Sequence, residues 1–210
     1  ELGTGLSTAD EELLEHALDD RRQEVRVTAA YLLSRLSESA YAGRMAERAR
    51  ALVRIGKRID ASLPRELDDS GTRDIVITKP PQGTGERAWW LQQILAATPL
   101  GVWEGDPPKL ARLKVADNLE AAVHGGWAEA AARQRSAEWA AALLPLTWEP
   151  KLVAAAPAEL VEKQIAKALD DPRSHALLQE LRRPFGLDLS RTLARRGRLD
   201  RSIAAALDPR

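Results

Sequence analysis

Residues 20–33 read DRRQEVRVTAAYLL, and this stretch decides the fold class. An aspartate in a turn precedes apolar residues at helical spacing, namely Val25, Ala29, Leu32 and Leu36. That spacing places them on one face of an amphipathic helix. The carboxylate of Asp20, or of Asp19 beside it, can accept from the orphan amides at the helix start. The paired alanines, Ala29 and Ala30, let a second helix approach closely. The stretch therefore predicts a helix that packs against other helices.

Further helices are predicted on both sides of this one. A capping box at Thr8 and Glu11 opens the preceding helix, because a hydroxyl and a carboxylate three residues apart satisfy each other's backbone amides. A third helix is expected from near Ser39 to about Ile55. Since the turns between the three are short, they should pack as antiparallel neighbours.

Residues 56–85 form an irregular insertion in this helical pattern. Glycine or proline interrupts the stretch every few residues, which is typical of turns and loops. The β-branched run at 75–78 is a candidate to pair with residues 58–63 as a short β-hairpin. A long insertion in a helical stack is usually functional or mobile.

Helical patterning resumes after the insertion. One helix is expected from Glu86 to about Thr98, and another from Pro107 to a break at Gly125-Gly126. The remaining helices are predicted at 127–134, 137–144, 157–169, 174–182, 190–196 and 200–207. The turn sequence ALDDRR at 17–22 recurs as ALDDPR at 168–173 and as ALDPR at 206–210. The last two copies are 38 residues apart, close to the ~40-residue unit of helix-pair solenoids.

The 20–33 segment resembles the second helix of a HEAT repeat, in which a turn aspartate is followed by Val-Arg and paired alanines. The wider chain is similar to an uncharacterised bacterial family with HEAT-like helical repeats, on the stretches 18–36, 85–104 and 127–144. That family has no established activity, so the resemblance implies a fold and no reaction. We therefore expect residues 1–210 to form a single all-α domain of stacked antiparallel helix pairs, a HEAT-like α-solenoid interrupted at 56–85.

Composition excludes several kinds of chemistry. The chain has 31 basic and 31 acidic residues, so it has no net field to attract polyphosphate. It contains no cysteine, which removes disulfides, thiolate nucleophiles and cysteine-ligated metals. No apolar run has the ~18 residues needed to span a bilayer. We expect a cytoplasmic protein with no membrane association.

No motif specifies a reaction, a metal or a cofactor. The glycine-rich stretch 79–87 lacks the lysine of a phosphate-binding loop, and Glu86 places negative charge where the anion would sit. His16, His124 and His175 are far apart and lack ligand spacing. The sequence therefore predicts a protein that is not an enzyme and carries neither a metal nor a cofactor.

The adjacent tryptophans 89 and 90 point about 100° apart on a helix, so both cannot occupy the centre of one buried face. Trp89 either packs against the insertion or anchors a partner, and Arg87 lies beside it. The other tryptophans lie on or beside aliphatic helices and are expected in the core: Trp103, Trp127, Trp139 and Trp148.

The sequence contains two arginine-rich clusters, and each has two interpretations. Its side chains are solvated or ion-paired within the protein, or they hold a phosphate group or an acidic partner. The first contains Arg44, Arg48, Arg50, Arg54, Lys57 and Arg58, and the second runs from Arg182 to Arg201. The candidate partner-binding residues are thus Trp89, Arg87, Arg54 and Arg58.

Three functions remain open from the sequence. The leading hypothesis is a non-catalytic interaction or scaffold module for a protein partner. One alternative is a DNA-binding or DNA-repair protein, because one group of HEAT-like proteins excises alkylated bases, although the neutral charge disfavours nucleic acid. The other alternative is an adaptor segment of a larger assembly, since a further ALDPR turn begins at the end of this chain.

Overall fold

A computed structural model describes residues 5–76, 79–147, 152, 155–157, 159–161 and 163. This part of the chain is mostly helical, with a small two-stranded sheet. Several predicted features lie outside the described residues. They are Trp148, His175, the second arginine cluster, the last two copies of the turn sequence, the helices predicted beyond residue 173 and most of the helix predicted at 157–169.

The first three helices lie close to their predicted positions. They are α1 (Glu11–Ala17), α2 (Gln23–Leu33) and α3 (Ala40–Leu52). The capping box was predicted at Thr8 and Glu11 but lies one residue earlier, where Asp10 accepts from the amide of Ser7 at 2.8 Å. The Glu11 carboxylate instead accepts from the amide of Ala40 at 2.7 Å, so it caps the start of α3.

Helix α2 is turned slightly from its predicted orientation. Its buried residues are Ala29, Ala30 and Leu33, whereas Val25 is only partly buried. Asp20 accepts from the amide of Arg22 at 2.8 Å and so closes the turn before the helix. The predicted aspartate cap was wrong, because the N-cap residue of α2 is Arg22 and no side chain caps the helix there.

A β-hairpin is present, but its predicted partner strand was wrong. Strand β1 (Val53–Ile55) pairs antiparallel with β2 (Ile59–Ala61) through a three-residue connection. This short local closure costs less chain entropy than pairing with residues 75–78 would. Ile75 instead ends the short helix α4 (Asp69–Asp74), and Ile77 and Thr78 lie outside the described residues. The third helix consequently ends at Leu52 rather than near Ile55.

The second half of the chain contains α5 (Glu86–Ala97), α6 (Pro107–Arg112), α7 (Glu120–Arg133) and α8 (Ala137–Leu143). The helix predicted from Pro107 to Gly125-Gly126 begins at Pro107 as expected but ends at Arg112, and α7 begins separately at Glu120. Helix α6 stops early because the following segment bonds to β2: the amide of Ile59 donates to the carbonyl of Lys114 at 2.9 Å.

Helix α7 passes through the two glycines without a break. A Cβ at position 126 would lie 2.6 Å from the Cβ of Leu95 and 2.9 Å from the carbonyl oxygen of Gln92. Gly126 therefore marks a close contact between α7 and α5 rather than a helix end.

The core is built around α5, which packs on α3 on one side and on α7 on the other. Trp103, Trp127 and Trp139 are buried together, with ring centroids 5.7 and 5.2 Å apart, which confirms their expected place in the core. Consecutive helices pack in the pairs α1–α2 and α7–α8. No helix in the described part of the chain is long and apolar enough to cross a membrane.

Candidate functional site

A cavity of about 410 Å³ opens between α2, α3, the end of α4, α5 and α7. We call it the α2–α7 groove. Its apolar lining includes Val27, Ala30, Tyr31, Leu32, Met45, Ile75, Val76 and Ala97. Its polar lining comprises Thr28, Tyr41, Asp74, Gln93, Glu129 and Arg133. An apolar concavity with a few polar groups is the usual form of a binding site.

Exposed apolar side chains of α2 line part of the groove. Val27 is 38% exposed and Tyr31 is 43% exposed. They are four residues apart, so they lie on one side of α2 and one turn apart. Because scattered apolar residues are common on surfaces, the informative observation is that both lie beside a concave cavity.

Two hydrogen-bond donors in the groove wall have no acceptor among the described residues. They are Nε2 of Gln93 on α5 and Nε of Arg133 on α7, and both atoms are shielded from solvent. Nη2 of Arg133 donates to the carboxylate of Glu129 at 2.6 Å. The guanidinium carbon also lies 5.9 Å from the ring centroid of Tyr31. Arg133 is thus held in place by Glu129, which compensates its charge. Its Nε–H group has no acceptor among the described residues.

The floor of the groove is fixed by Asp74 at the end of α4. The Tyr41 hydroxyl donates to the main-chain carbonyl of Asp74 at 3.2 Å. The Asp74 carboxylate is fully buried and pairs with Arg44 and Arg48, each at 2.8 Å. Burial alone would raise the pKa of this carboxyl, but the hydrogen bonds and charges of the two arginines outweigh burial and lower it.

The same ion-pair network reaches α1. The Glu15 carboxylate pairs with Arg44 and Arg73, each at 3.0 Å. Arg73 also pairs with Asp19 at 2.8 Å. The arginines of α3 that the sequence left open as free or ion-paired are therefore ion-paired at positions 44 and 48. This network fastens α4, and with it the groove residues Ile75 and Val76, to α1 and α3.

The four predicted partner-binding residues lie outside the groove lining. Arg87 donates to the main-chain carbonyls of Pro64 at 2.6 Å and Leu63 at 3.1 Å, so it fastens the insertion to α5. Arg54 is exposed on β1 and pairs in register with Asp60. Arg58 is exposed and forms an ion pair with the Asp60 carboxylate at 2.7 Å.

Trp89 lies on α5, the helix that also carries the groove residues Gln93 and Ala97. It is half-buried and precedes Gln93 by four residues on α5. Residues at that spacing share one side of a helix, so Trp89 lies one turn beyond the groove wall. Arg87, two residues earlier, points to another side.

Sequence reasoning missed the groove itself. Val27 and Tyr31 carried a usable signal, because they are apolar yet out of phase with the buried residues of α2. Glu129 and Arg133 are four residues apart on α7, which is the spacing of a helical ion pair. Gln93 carried no such signal, since a glutamine on a helix is usually solvated.

Most of the titratable groups that line the groove are held by burial or by ion pairs. Burial raises the pKa of Tyr41 and keeps its hydroxyl protonated. The carboxylates of Asp74 and Glu129 are both ion-paired. Within the described residues, no cluster of histidines and carboxylates could hold a metal ion. His124 packs beside Trp127, and burial lowers its pKa.

Comparison with known proteins gave one match. No curated protein and no solved structure matches the chain. Residues 1–207 match a protein family described as a family of unknown function, DUF5691. Because this match covers nearly all of the sequence, the chain belongs to the DUF5691 family.

Proposed function

We propose that the protein is a non-catalytic interaction module that binds a partner protein through the α2–α7 groove. The observation that carries this proposal is the pair of exposed apolar residues, Val27 and Tyr31, beside a cavity of about 410 Å³. When a partner covers exposed apolar surface next to a concavity, that surface leaves water and the free energy of the system falls.

The size and chemistry of the groove support an anchor-type contact. A cavity of this volume holds one or two apolar side chains, and buried anchors dominate the energy of protein interfaces. Trp89, one turn further along α5, extends the same side of the molecule. The partner is expected to insert an apolar side chain into the groove and to lie across Val27 and Tyr31.

The DNA-binding alternative draws less support from the described residues. Arg44 and Arg48, the first two residues of the basic cluster, are engaged with Asp74. Arg58 is engaged with Asp60. These arginines are already neutralised, so they offer little charge to a phosphate backbone.

The experiment is a selection of random peptides displayed on phage against the immobilised protein. Enriched peptides are expected to share an apolar residue. The double substitution Val27→Ser and Tyr31→Ser should weaken their binding at least tenfold, because it removes the apolar contact without altering the core. Trp89→Ala should weaken binding to a smaller extent.

The matched control is Leu13→Ser, since Leu13 is 71% exposed on α1 and lies outside the groove lining. It should leave binding unchanged, and circular dichroism melting should show that each variant folds. The proposal is wrong if no peptide is enriched, or if the double variant binds the enriched peptides as tightly as the original protein does. A large fall in the melting temperature of the Trp89→Ala variant would make Trp89 a structural residue.

A further inference from the structure

We infer that the α2–α7 groove recognises an uncharged peptide segment, in which an apolar side chain fills the cavity and a neighbouring main-chain carbonyl accepts from Gln93 and Arg133. This inference rests on the proposed function and adds the chemistry of the partner. It depends on the two unused donors of the groove wall.

The donors are on directly packed helices. Gln93 belongs to α5 and Arg133 to α7, and these two helices pack directly against each other, with a close approach at Gly126. Neither Nε2 of Gln93 nor Nε of Arg133 has an acceptor among the described residues. A shielded donor without an acceptor is unfavourable. A ligand that brings an acceptor removes that cost, so acceptor groups are favoured over purely apolar ones.

The charges around the donors favour a neutral acceptor over an anion. The guanidinium of Arg133 is already paired with Glu129 at 2.6 Å. A carboxylate on the ligand would therefore meet a second carboxylate at this wall, and the Asp74 carboxylate lies in the same lining. An amide carbonyl has two lone pairs and no charge. It can accept from both donors without this repulsion.

Access to the donors requires a local movement of side chains that line the groove. Both nitrogen atoms are shielded from solvent. The Tyr31 ring lies 5.9 Å from the Arg133 guanidinium carbon and is 43% exposed. Exposed side chains change rotamer within nanoseconds, and the terminal torsion of a glutamine amide is broad. We expect an incoming apolar side chain to displace the Tyr31 ring from Arg133 and then to pack against that ring.

The test uses two small probes with the same apolar side chain, N-acetyl-L-leucinamide and N-acetyl-L-leucine, at neutral pH. The first is uncharged, and the second carries a carboxylate. Each is titrated into uniformly ¹⁵N-labelled protein, and the side-chain resonances of Gln93 Nε2 and Arg133 Nε report hydrogen bonding directly. We expect the amide to shift both resonances and to bind at least threefold more tightly than the acid. Added salt should change its affinity little.

Two variants remove the donors singly. Arg133→Lys keeps the positive charge near Glu129 but lacks Nε–H, and Gln93→Met keeps the length of the side chain but lacks the amide. Each should weaken binding of N-acetyl-L-leucinamide roughly fivefold, close to the typical net contribution of one hydrogen bond. The control is Gln92→Met, the neighbouring glutamine of α5, which lies outside the groove lining. It should leave the affinity unchanged, and the dispersion of the amide spectrum shows whether each variant folds.

The outcomes separate this inference from the proposed function. If the acid binds more tightly, or if both donor variants bind the amide as the original protein does, the inference is overturned while peptide binding through the groove still stands. If neither probe binds and the peptide selection also fails, both are overturned. Loss of binding in the donor variants alone, with shifts of both resonances, supports the inference.

Discussion

The contact at Gly126 shows how one residue without a side chain sets the spacing of two helices. A Cβ there would lie 2.6 Å from the Cβ of Leu95, and it would also meet the backbone of Gln92 at 2.9 Å. Because the backbone of α5 cannot change rotamer as a side chain can, Gly126→Ala must push α7 away from α5. We expect it to lower the free energy of unfolding by about 1–3 kcal/mol, measured by urea denaturation.

Gly43 provides the matched control for that substitution. It lies within α3, and an added Cβ would meet no atom within 4 Å. Alanine is the better helix former, so Gly43→Ala should raise the free energy of unfolding by roughly 0.5–1 kcal/mol. If both substitutions have the same sign, the close contact between α5 and α7 is not what makes Gly126 necessary.

Asp74 gives a prediction about pH. Because its pKa is lowered in the folded protein, the unfolded chain binds this proton more tightly, and the ion pairs stabilise the fold above the ordinary pKa of 3.8. That contribution is lost as the pH falls through 3.8 towards the lowered value. Asp74→Asn should cost roughly 3 kcal/mol at pH 7, since Arg44 and Arg48 lose a buried partner.

The same substitution should cost progressively less below about pH 4, where the Asp74 carboxyl of the unfolded original chain becomes protonated and the ion pairs contribute less to stability. Urea denaturation at pH 7, 5 and 3.5 measures this difference. Asp117→Asn, at an exposed residue with φ of 58°, is the control and should change little at any pH. A cost for Asp74→Asn that stays constant from pH 7 to pH 3.5 would contradict the assigned role of the charge.

Among the elements, the insertion is attached to α5 by Arg87. Its two hydrogen bonds to the carbonyls of Leu63 and Pro64 should hold the chain between β2 and α4 in place. Arg87→Met removes both and is expected to speed hydrogen exchange of the amides at Ser62 and Gly71 roughly tenfold, while the melting temperature changes little.

Arg112→Met is the control for that experiment, because Arg112 is exposed on α6. It should leave exchange in the insertion unchanged. Equal rates in the Arg87→Met variant and the original protein would show that the insertion is held by other contacts, and would leave Arg87 available to a partner as the sequence first suggested.

The elements also show what local sequence can and cannot predict. The periodicity of residues 11–52 placed three helices well, because amphipathic spacing and capping are local signals. The early end of α6 and the course of α7 through its glycines were missed, since both depend on segments distant in sequence. Ile59 bonds to Lys114, and Gly126 faces Leu95. The groove was missed for the same reason, because its walls come from five separate elements.

On the scale of the whole molecule, α5 joins the two halves of the described chain. The Thr98 hydroxyl, at the end of α5, donates to the Ile94 carbonyl of its own helix at 2.8 Å and lies 3.3 Å from the Met45 carbonyl oxygen of α3. The Thr98 carbonyl accepts from the Gln134 side chain at the end of α7, at 2.9 Å. The buried residues of these helices form one continuous cluster. In a stack of repeats, each repeat is stabilised only by its immediate neighbours. In a shared core, a change in one helix alters the stability of every helix that contributes to that core.

Native-state hydrogen exchange tests this connection with the Gly126→Ala variant. Slow amides of α3, such as that of Ala49, should lose as much opening free energy as slow amides of α7, such as that of Ala130, although α3 is remote from the substitution. Equal losses are expected because both helices can open only when the core around α5 is lost. If exchange in α3 is unaffected while α7 opens more easily, the halves unfold separately. The α2–α7 groove would then be assembled from two independent units, and peptide binding would have to couple them.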